Sequence, residues 1–281
     1  MRQKVILTAA INGAAPRKSQ NPAVPEQPTE IALAAQECYN AGAAIVHFHI
    51  RDRSGVPACS PEILSEINSE IRARSPIITQ ASTAPIRQVE ESLELFKAPV
   101  LPEMMTIAFG LMHLAAPGRE TLYPCTRAFL RDSLLQMRQH GVKPELEILS
   151  GASADDALAL LAAGDCLEKP MSATLLMGQP MQGIKQYDVD YLIHTFRRFP
   201  AGTQISTACA GANNLHAILF TLLLGGNVRT GMEETLQYQE GEPVRSNGQL
   251  VERAVRIVHE LGLEVATPDE ARAILRLPAL K

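Results

Sequence analysis

Short apolar segments with strand character alternate with segments of helical character along the whole chain, and this alternation most constrains the fold. A strand and helix repeat without a break in composition is typical of parallel strands covered by helices. We therefore predict an α/β fold, a single (β/α)8 TIM barrel that occupies residues 1–281 as one domain. The eight predicted strands span residues 5–11, 44–52, 76–81, 103–108, 143–149, 172–177, 203–209 and 227–231.

A doubly wound open sheet is the alternative fold for such a repeat. That fold is typically marked by Gly-X-Gly-X-X-Gly after the first strand, and the chain has neither this motif nor a Walker motif. The barrel is therefore favoured. Its third helix is predicted over residues 86–96, and its fourth strand is predicted to end at Phe109-Gly110.

Composition excludes several classes of partner and location. The net charge of −4 shows no basic surplus, which argues against nucleic-acid and anionic-membrane partners. No apolar run reaches 18 residues and no signal peptide precedes the first strand, so we expect a cytoplasmic protein. The 5 cysteines include no Cys-X-X-Cys pair, which favours reduced thiols over a disulfide framework or a structural zinc site.

The second predicted strand carries a pair of histidines, His47 and His49, in Ala-Ile-Val-His-Phe-His-Ile-Arg-Asp. Alternate residues of a strand point to the same face, so both imidazoles project to one side. Two imidazoles in this arrangement can bind one divalent metal, and zinc suits them best. An isolated His-X-His is equally compatible with two histidines on a sheet surface or in a polar core.

Further polar residues occur at or near the carboxyl ends of other predicted strands, where TIM barrels place their reaction sites. They are Ser82, Thr83, Thr106, Glu145, Glu147, Arg229, Glu233 and Glu234. Their shared location indicates an enzyme. Structural roles remain open at this point: Arg229 can pair with the strand-five carboxylates, Ser82 and Thr106 can satisfy backbone groups, and Glu233 and Glu234 can begin a helix.

An ordered set of motifs resembles the β-keto acid cleavage enzymes over nearly the full length. The motifs are Ile6-Leu7-Thr8-Ala9-Ala10-Ile11-Asn12-Gly13-Ala14, His47-Phe48-His49-Ile50-Arg51-Asp52, Gln80-Ala81-Ser82-Thr83, Pro102-Glu103-Met104-Met105-Thr106, Pro144-Glu145-Leu146-Glu147, Asn227-Val228-Arg229-Thr230-Gly231-Met232-Glu233, Ser246-Asn247-Gly248-Gln249-Leu250-Val251 and Ala266-Thr267-Pro268. Each motif alone is weak, whereas the ordered set is specific.

The resemblance implies a zinc-bearing TIM barrel, usually a homotetramer, that uses acetyl-CoA as co-substrate. It implies conversion of a β-keto acid and acetyl-CoA to acetoacetate and a new acyl-CoA, through a metal-stabilised enolate and retro-Claisen cleavage. Carried over by position, the metal ligands are His47, His49 and Glu233; the substrate-binding residues are Ser82, Thr83 and Thr106; and the catalytic residues are Glu145, Arg229 and Glu234.

Several substrate-shell positions depart from the family pattern. Ala15 stands where an acidic residue is common, Ala84-Pro85 replaces two glycines, Ala108 replaces an asparagine, and Glu234 replaces an aspartate base. Loss of the acid predicts a substrate that is not cationic at its far end. Two rivals remain: a metal-dependent hydrolase or aldolase on the same barrel that does not use coenzyme A, and a metal-retaining binding protein whose catalysis has lapsed.

Overall fold

The computed structural model describes residues 4–84, 88–116, 119–164, 167, 169–179 and 183–277. Eight parallel strands form a nearly closed barrel surrounded by helices, which confirms the predicted fold. The barrel strands are β1 (Leu7–Ala10), β2 (Ile45–Phe48), β3 (Ile78–Ala81), β4 (Met104–Ala116), β5 (Lys143–Ile148), β6 (Ser172–Met177), β7 (Gln204–Cys209) and β8 (Val228–Thr230).

Backbone ladders join the barrel strands in the order β8, β1, β2, β3, β4, β5, β6, β7. Between β7 and β8, the Asn227 N–H donates to the Ile205 carbonyl oxygen at 2.7 Å. Gly226 permits this approach, because a Cβ atom there would lie 2.7 Å from the same oxygen. The absence of a side chain therefore lets the two strands meet.

Helices follow the strands and pack their apolar faces onto the outside of the barrel. They are α1 (Pro28–Asn40), α2 (Pro61–Arg72), a 3-10 helix (Val89–Lys97), α3 (Arg127–Gln139), α4 (Gly151–Ala163), α5 (Val189–Arg198), a 3-10 turn (Gly211–Asn213), α6 (Asn214–Leu223), α7 (Asn247–Glu260) and α8 (Pro268–Leu275). Several helices have a side-chain cap at the amino-terminal end. For example, the Ser60 hydroxyl accepts a hydrogen bond from the Ile63 N–H at the start of α2. Within the described ranges, no helix has the length and apolarity needed to cross a membrane.

Two local predictions were wrong. The fourth strand does not end near residue 110; it continues to Ala116 and pairs antiparallel with Arg119–Cys125. Beyond the barrel, the antiparallel partner supplies hydrogen bonds for the backbone N–H and C=O groups of the extended strand. The strand therefore need not stop at Gly110. The helix predicted over 86–96 is instead the 3-10 helix Val89–Lys97, and residues 85–87 lie outside the described part of the chain.

Helix α8 covers the amino-terminal end of the barrel, opposite the mouth that carries the polar strand ends. Its Leu275 packs in one apolar cluster with Ile45, Ile78 and Met104. Arg272, which is 4% exposed, donates from Nε and Nη2 to the two Glu103 carboxylate oxygens at 2.7 and 3.0 Å. This buried pair fixes α8 beneath β4.

Replacing Arg272 with methionine should destabilise the fold by about 3 kcal/mol, because Glu103 keeps its buried charge and loses its partner. Urea unfolding followed by circular dichroism measures this change. Arg127→Met is the control, since it removes a pair to Asp156 in which the arginine side chain is 64% exposed. If Arg272→Met lowered the free energy of unfolding no more than the control does, the role assigned to the Arg272–Glu103 pair would be contradicted.

Candidate active site

His47, His49 and Glu233 converge at the carboxyl-terminal mouth of the barrel. His47 lies in β2, His49 directly follows this strand, and Glu233 lies in the turn after β8. Glu233 Oε2 is 3.4 Å from His47 Nε2, and Glu233 Oε1 is 3.3 Å from His49 Nε2. One ligand atom from each residue lies within 4.8 Å of the others, so the three can close around one metal ion.

Two orphaned polar atoms show that this cluster fits a divalent metal. His47 Nε2 and Glu233 Oε2 are buried and have no hydrogen-bond partner. On the other side of the ring, His47 Nδ1 lies 3.0 Å from Gln80 Oε1. If Nδ1 carries the proton, the Nε2 lone pair points at the cluster, as in metal-binding histidines held by an outer hydrogen bond.

Burial, reinforced by the positive charge of Arg229, holds the pKa of His47 well below its ordinary value. Its imidazole is therefore neutral at neutral pH, which is the protonation state that binds metal. The burial of His47 within β2 thus keeps its imidazole in the form that a metal ion would require.

Contacts from the end of β1 and the segment after it hold the other two residues of the cluster, His49 and Glu233. The Asn12 side chain donates to the His49 carbonyl oxygen at 3.0 Å and accepts the His49 N–H at 2.8 Å. The Glu233 N–H donates to the Ala10 carbonyl oxygen at 3.1 Å. Asn247 joins the same two segments, since it accepts the Met232 N–H and donates to the Ile11 carbonyl oxygen.

Gly13 leaves the space that Glu233 occupies. Its φ is +60°, and a Cβ atom at this position would lie 2.6 Å from Glu233 Cγ. Gly13→Ala should therefore displace the carboxylate and weaken metal affinity by about tenfold or more. Gly141→Ala is the matched control, because Gly141 has φ +69° and its Cβ would meet nothing within 4 Å. Chelator competition measures both variants, and equal affinities for the two would contradict the prediction.

Arg229 is the central cation of the site and is 1% exposed. Its Nη2 lies 2.8 Å from Glu233 Oε1, its Nε lies 2.8 Å from Glu234 Oε1, and its Nη1 lies 3.7 Å from Glu147 Oε1. Although burial opposes ionisation, the positive charge of Arg229 holds the pKa of Glu233 below its ordinary value. Glu233 is therefore the carboxylate that stays charged beside the histidines.

In contrast to Glu233, the carboxyl groups of Glu234 and Glu147 favour the neutral form. Burial raises the pKa of each carboxyl above its ordinary value, and the charge of Glu233 adds to the effect. Glu234 Oε2 is buried without a hydrogen-bond partner. Carboxyl groups with raised pKa values beside a fixed cation are suited to accepting and returning protons near neutral pH.

Glu145 lies deeper in the barrel than Glu147. It accepts hydrogen bonds from the Ser172 hydroxyl at 2.9 Å and the Thr174 hydroxyl at 2.6 Å. Within the described residues, it has no ion pair with Arg229 inside 4.0 Å, whereas Glu147 has one. The catalytic role of Glu145 stays a prediction, and Glu147 is the nearer carboxylate to the cation.

The three hydroxyls assigned to substrate binding differ in their partners. Ser82 Oγ accepts the Ala84 N–H at 3.1 Å, and Thr83 Oγ1 donates to the Thr106 carbonyl oxygen at 2.6 Å. Thr106 Oγ1 is buried and has no hydrogen-bond partner. Thr106 is therefore the hydroxyl with the most donor and acceptor capacity left for a ligand.

A small cavity of ≈ 30 Å³ brings together two of the positions that depart from the family pattern. Ala84 and Ala108 line it, together with Thr83 and Glu147. Pro85 lies outside the described residues. Ala15 is exposed in the loop after β1.

The sequence assigned no role to Gln80 or Asn12, and it marked Glu147 only as a strand-five carboxylate with which Arg229 can pair. A polar Gln80 inside the apolar run Ile77-Ile78-Thr79-Gln80-Ala81 was an available signal, because a buried amide needs partners. Its pairing opposite His47 depends on the register between β2 and β3, which the sequence does not state.

Comparison with known proteins matches this architecture. The family model described as beta-keto acid cleavage enzyme matches residues 4–277. The 3-keto-5-aminohexanoate cleavage enzyme of Fusobacterium nucleatum subsp. nucleatum is 34% identical over 278 residues, which are 99% of each chain. The 3-oxoadipate:acetyl-CoA acetyltransferase of Cupriavidus necator is 29% identical over 100% of this chain and 98% of its own length.

Among solved structures, apo ObcA superposes with a TM-score of 0.75 at 19% identity, over 92% of this chain. The chain spans 66% of the length of ObcA, and this likeness shows the fold alone. The family match and the full-length similarity at 34% identity carry the assignment further. The chain belongs to the β-keto acid cleavage enzyme family.

Proposed function

We propose that the chain converts a β-keto acid and acetyl-CoA to acetoacetate and a new acyl-CoA. The observation that carries this proposal is the cluster of His47, His49 and Glu233 beside Arg229 at the barrel mouth. Membership of the family and the acetyl-CoA in the name of the Cupriavidus necator relative support it.

The reaction balances as a two-step exchange. A proton leaves the carbon between the ketone and the carboxylate, and this carbon attacks the acetyl carbonyl of acetyl-CoA, which releases the coenzyme thiolate. The thiolate then attacks the original ketone carbon. Cleavage of the carbon–carbon bond leaves the acyl group on coenzyme A and frees acetoacetate, which recovers the proton.

The residues present fit a resident divalent metal, and their nitrogen and oxygen donors suit zinc. Held by His47, His49 and Glu233, this metal would supply a Lewis acid for the ketone and carboxylate oxygens of the substrate. Glu234 is the proposed proton acceptor, because its carboxyl is buried with a raised pKa and one oxygen without a partner.

Arg229 orients the acidic residues of the site. Its Nε holds Glu234 and its Nη2 holds Glu233, so one planar guanidinium fixes the distance between ligand and base. Glu147 completes the group at 3.7 Å. The Thr106 hydroxyl is the proposed donor to the substrate carboxylate, since it is buried and unpaired.

The far end of the substrate is proposed to be neutral or anionic. The loop after β1 presents Ala15 at the position where the sequence resemblance expects an acidic side chain. Without that carboxylate, a cationic group on the substrate loses its counter-ion at this position.

The test is acetyl-CoA-dependent acetoacetate formation over cationic, neutral and anionic β-keto acids, with metal content determined on the same sample. We expect acetoacetate from neutral or anionic acids and little from cationic ones. A fully metal-loaded protein that forms no acetoacetate from any of them would contradict the proposal. Cleavage without acetyl-CoA would instead favour a metal-dependent hydrolase or aldolase.

A further inference from the structure

The loop after β1 carries a cation, Arg17, that no carboxylate of the described chain neutralises within 4.0 Å. Its Nη1 donates to the carbonyl oxygens of Ala14 and Pro16 at 2.7 and 3.0 Å. These bonds hold one edge of the guanidinium against the loop. Within the described residues, Nε and Nη2 have no hydrogen-bond partner, so the other edge keeps its donors for a ligand.

A second guanidinium lies beneath this loop. Arg51 is 1% exposed and donates from Nη2 to the carbonyl oxygens of Gly13 and Pro16 at 2.7 and 2.8 Å, and from Nη1 to Gly55 at 3.0 Å. The two Nη atoms of Arg51 thus fix the loop through backbone oxygens. Arg51 Nη2 and Arg17 Nη1 share the Pro16 carbonyl oxygen, so the two cations lie close enough to repel each other.

The same loop begins at the metal site. Gly13 is buried and packs directly against Glu233, so the loop leaves the candidate metal cluster at this residue and carries Arg17 four residues further along the chain. Ala14 and Ala15 are exposed along this path. A ligand anion at Arg17 would relieve the repulsion between the two guanidiniums while the substrate occupied the site below.

We propose that Arg17 binds an anionic group of a substrate at the rim of this mouth, and the inference rests on the proposed function. A guanidinium edge with two free N–H donors matches a carboxylate or a phosphate. Two sources carry that chemistry here: a far-end carboxylate on a dicarboxylic β-keto acid, and the 3′-phosphate of coenzyme A.

The experiment compares the metal-loaded wild type with Arg17→Gln and Arg17→Lys. The keto acids are 3-oxoadipate and its neutral analogue of equal length, 3-oxohexanoate, each with acetyl-CoA and with acetyl-dephospho-CoA. Lys18→Gln is the matched control, because it removes a neighbouring positive charge that is paired with Glu30. The control should change each KM by less than about twofold.

If the keto acid supplies the anion, Arg17→Gln should raise KM for 3-oxoadipate by about tenfold or more and leave 3-oxohexanoate unchanged. If coenzyme A supplies it, KM for acetyl-CoA should rise by a similar factor, and the difference should vanish with acetyl-dephospho-CoA. Arg17→Lys should recover part of either loss, since it keeps the charge and loses the planar fork.

Equal changes for every substrate would overturn the proposal, because a merely structural arginine affects all of them alike. Changes below about twofold throughout would also overturn it. Calorimetric binding of 3-oxoadipate and of coenzyme A gives a readout that needs no turnover. A wild type without acetoacetate formation would contradict the proposed function, while Arg17-dependent binding of either anion would still support this inference and Arg17-independent binding would overturn it.

Discussion

His49→Ala should lose the bound metal and all measurable turnover while the barrel remains folded. His49 is one of the three proposed ligands, and loss of a ligand should cost more than the roughly 10–100-fold in metal affinity typical of losing an outer-shell partner. The side chain lies beyond the end of β2 and is 10% exposed, so its removal leaves the core strands in place.

Metal analysis, acetoacetate formation and circular dichroism on the same preparation check this result. His259→Ala is the control, because His259 lies exposed in the last turn of α7. The control should keep full metal and full activity. Full metal occupancy with near-normal activity in His49→Ala would show that the ligand assignment is wrong.

Arg229→Met should destabilise the protein by about 3–5 kcal/mol and abolish activity. The substitution removes the cation shared by Glu233, Glu234 and Glu147 and leaves three acidic side chains in a buried site. Arg229→Lys retains the charge but not the fork, so its loss of stability should be smaller.

The difference in free energy of unfolding between wild type and Arg229→Met should shrink as pH falls from about 8 to about 5. In wild type, the lowered pKa of Glu233 contributes stability that is lost only below the ordinary carboxyl pKa of 4.5, so this contribution stays constant across the range. In the variant, the carboxyls lack their cation, so their folded pKa values rise and protonation relieves the cost of burial. Urea unfolding across this pH range measures the difference, and a deficit that grows as pH falls would contradict the assignment.

The fold follows from local sequence signals. Short, apolar and often β-branched segments such as Ile45–Phe48 form strands wherever turn signals bound them, and the predicted strands match all eight barrel strands. The extension of β4 was missed, because Phe109-Gly110 has the character of a strand end. Residues 117 and 118, Pro and Gly, carry a turn signal that was available in the sequence.

The candidate metal cluster could also be predicted from the sequence. The period of two along a strand places His47 and His49 on one side, while Glu233 as third ligand came from the family resemblance. The sequence does not show which of Glu145 and Glu147 lies nearer Arg229, because both side chains point to the same face of β5. Only the packed barrel shows that Glu147 lies nearer Arg229 and that Glu145 is bound to Ser172 and Thr174.

The exchange of acyl groups is tested most directly by acetyl-CoA labelled with carbon-13 in its acetyl carbonyl. The metal-loaded protein would be incubated with this compound and a neutral or anionic β-keto acid, and the products followed by carbon-13 NMR. We expect the label in the ketone carbon of acetoacetate, together with an unlabelled new acyl-CoA. Unlabelled acetoacetate, or acetate and a free acid formed without acetyl-CoA, would contradict the proposed reaction.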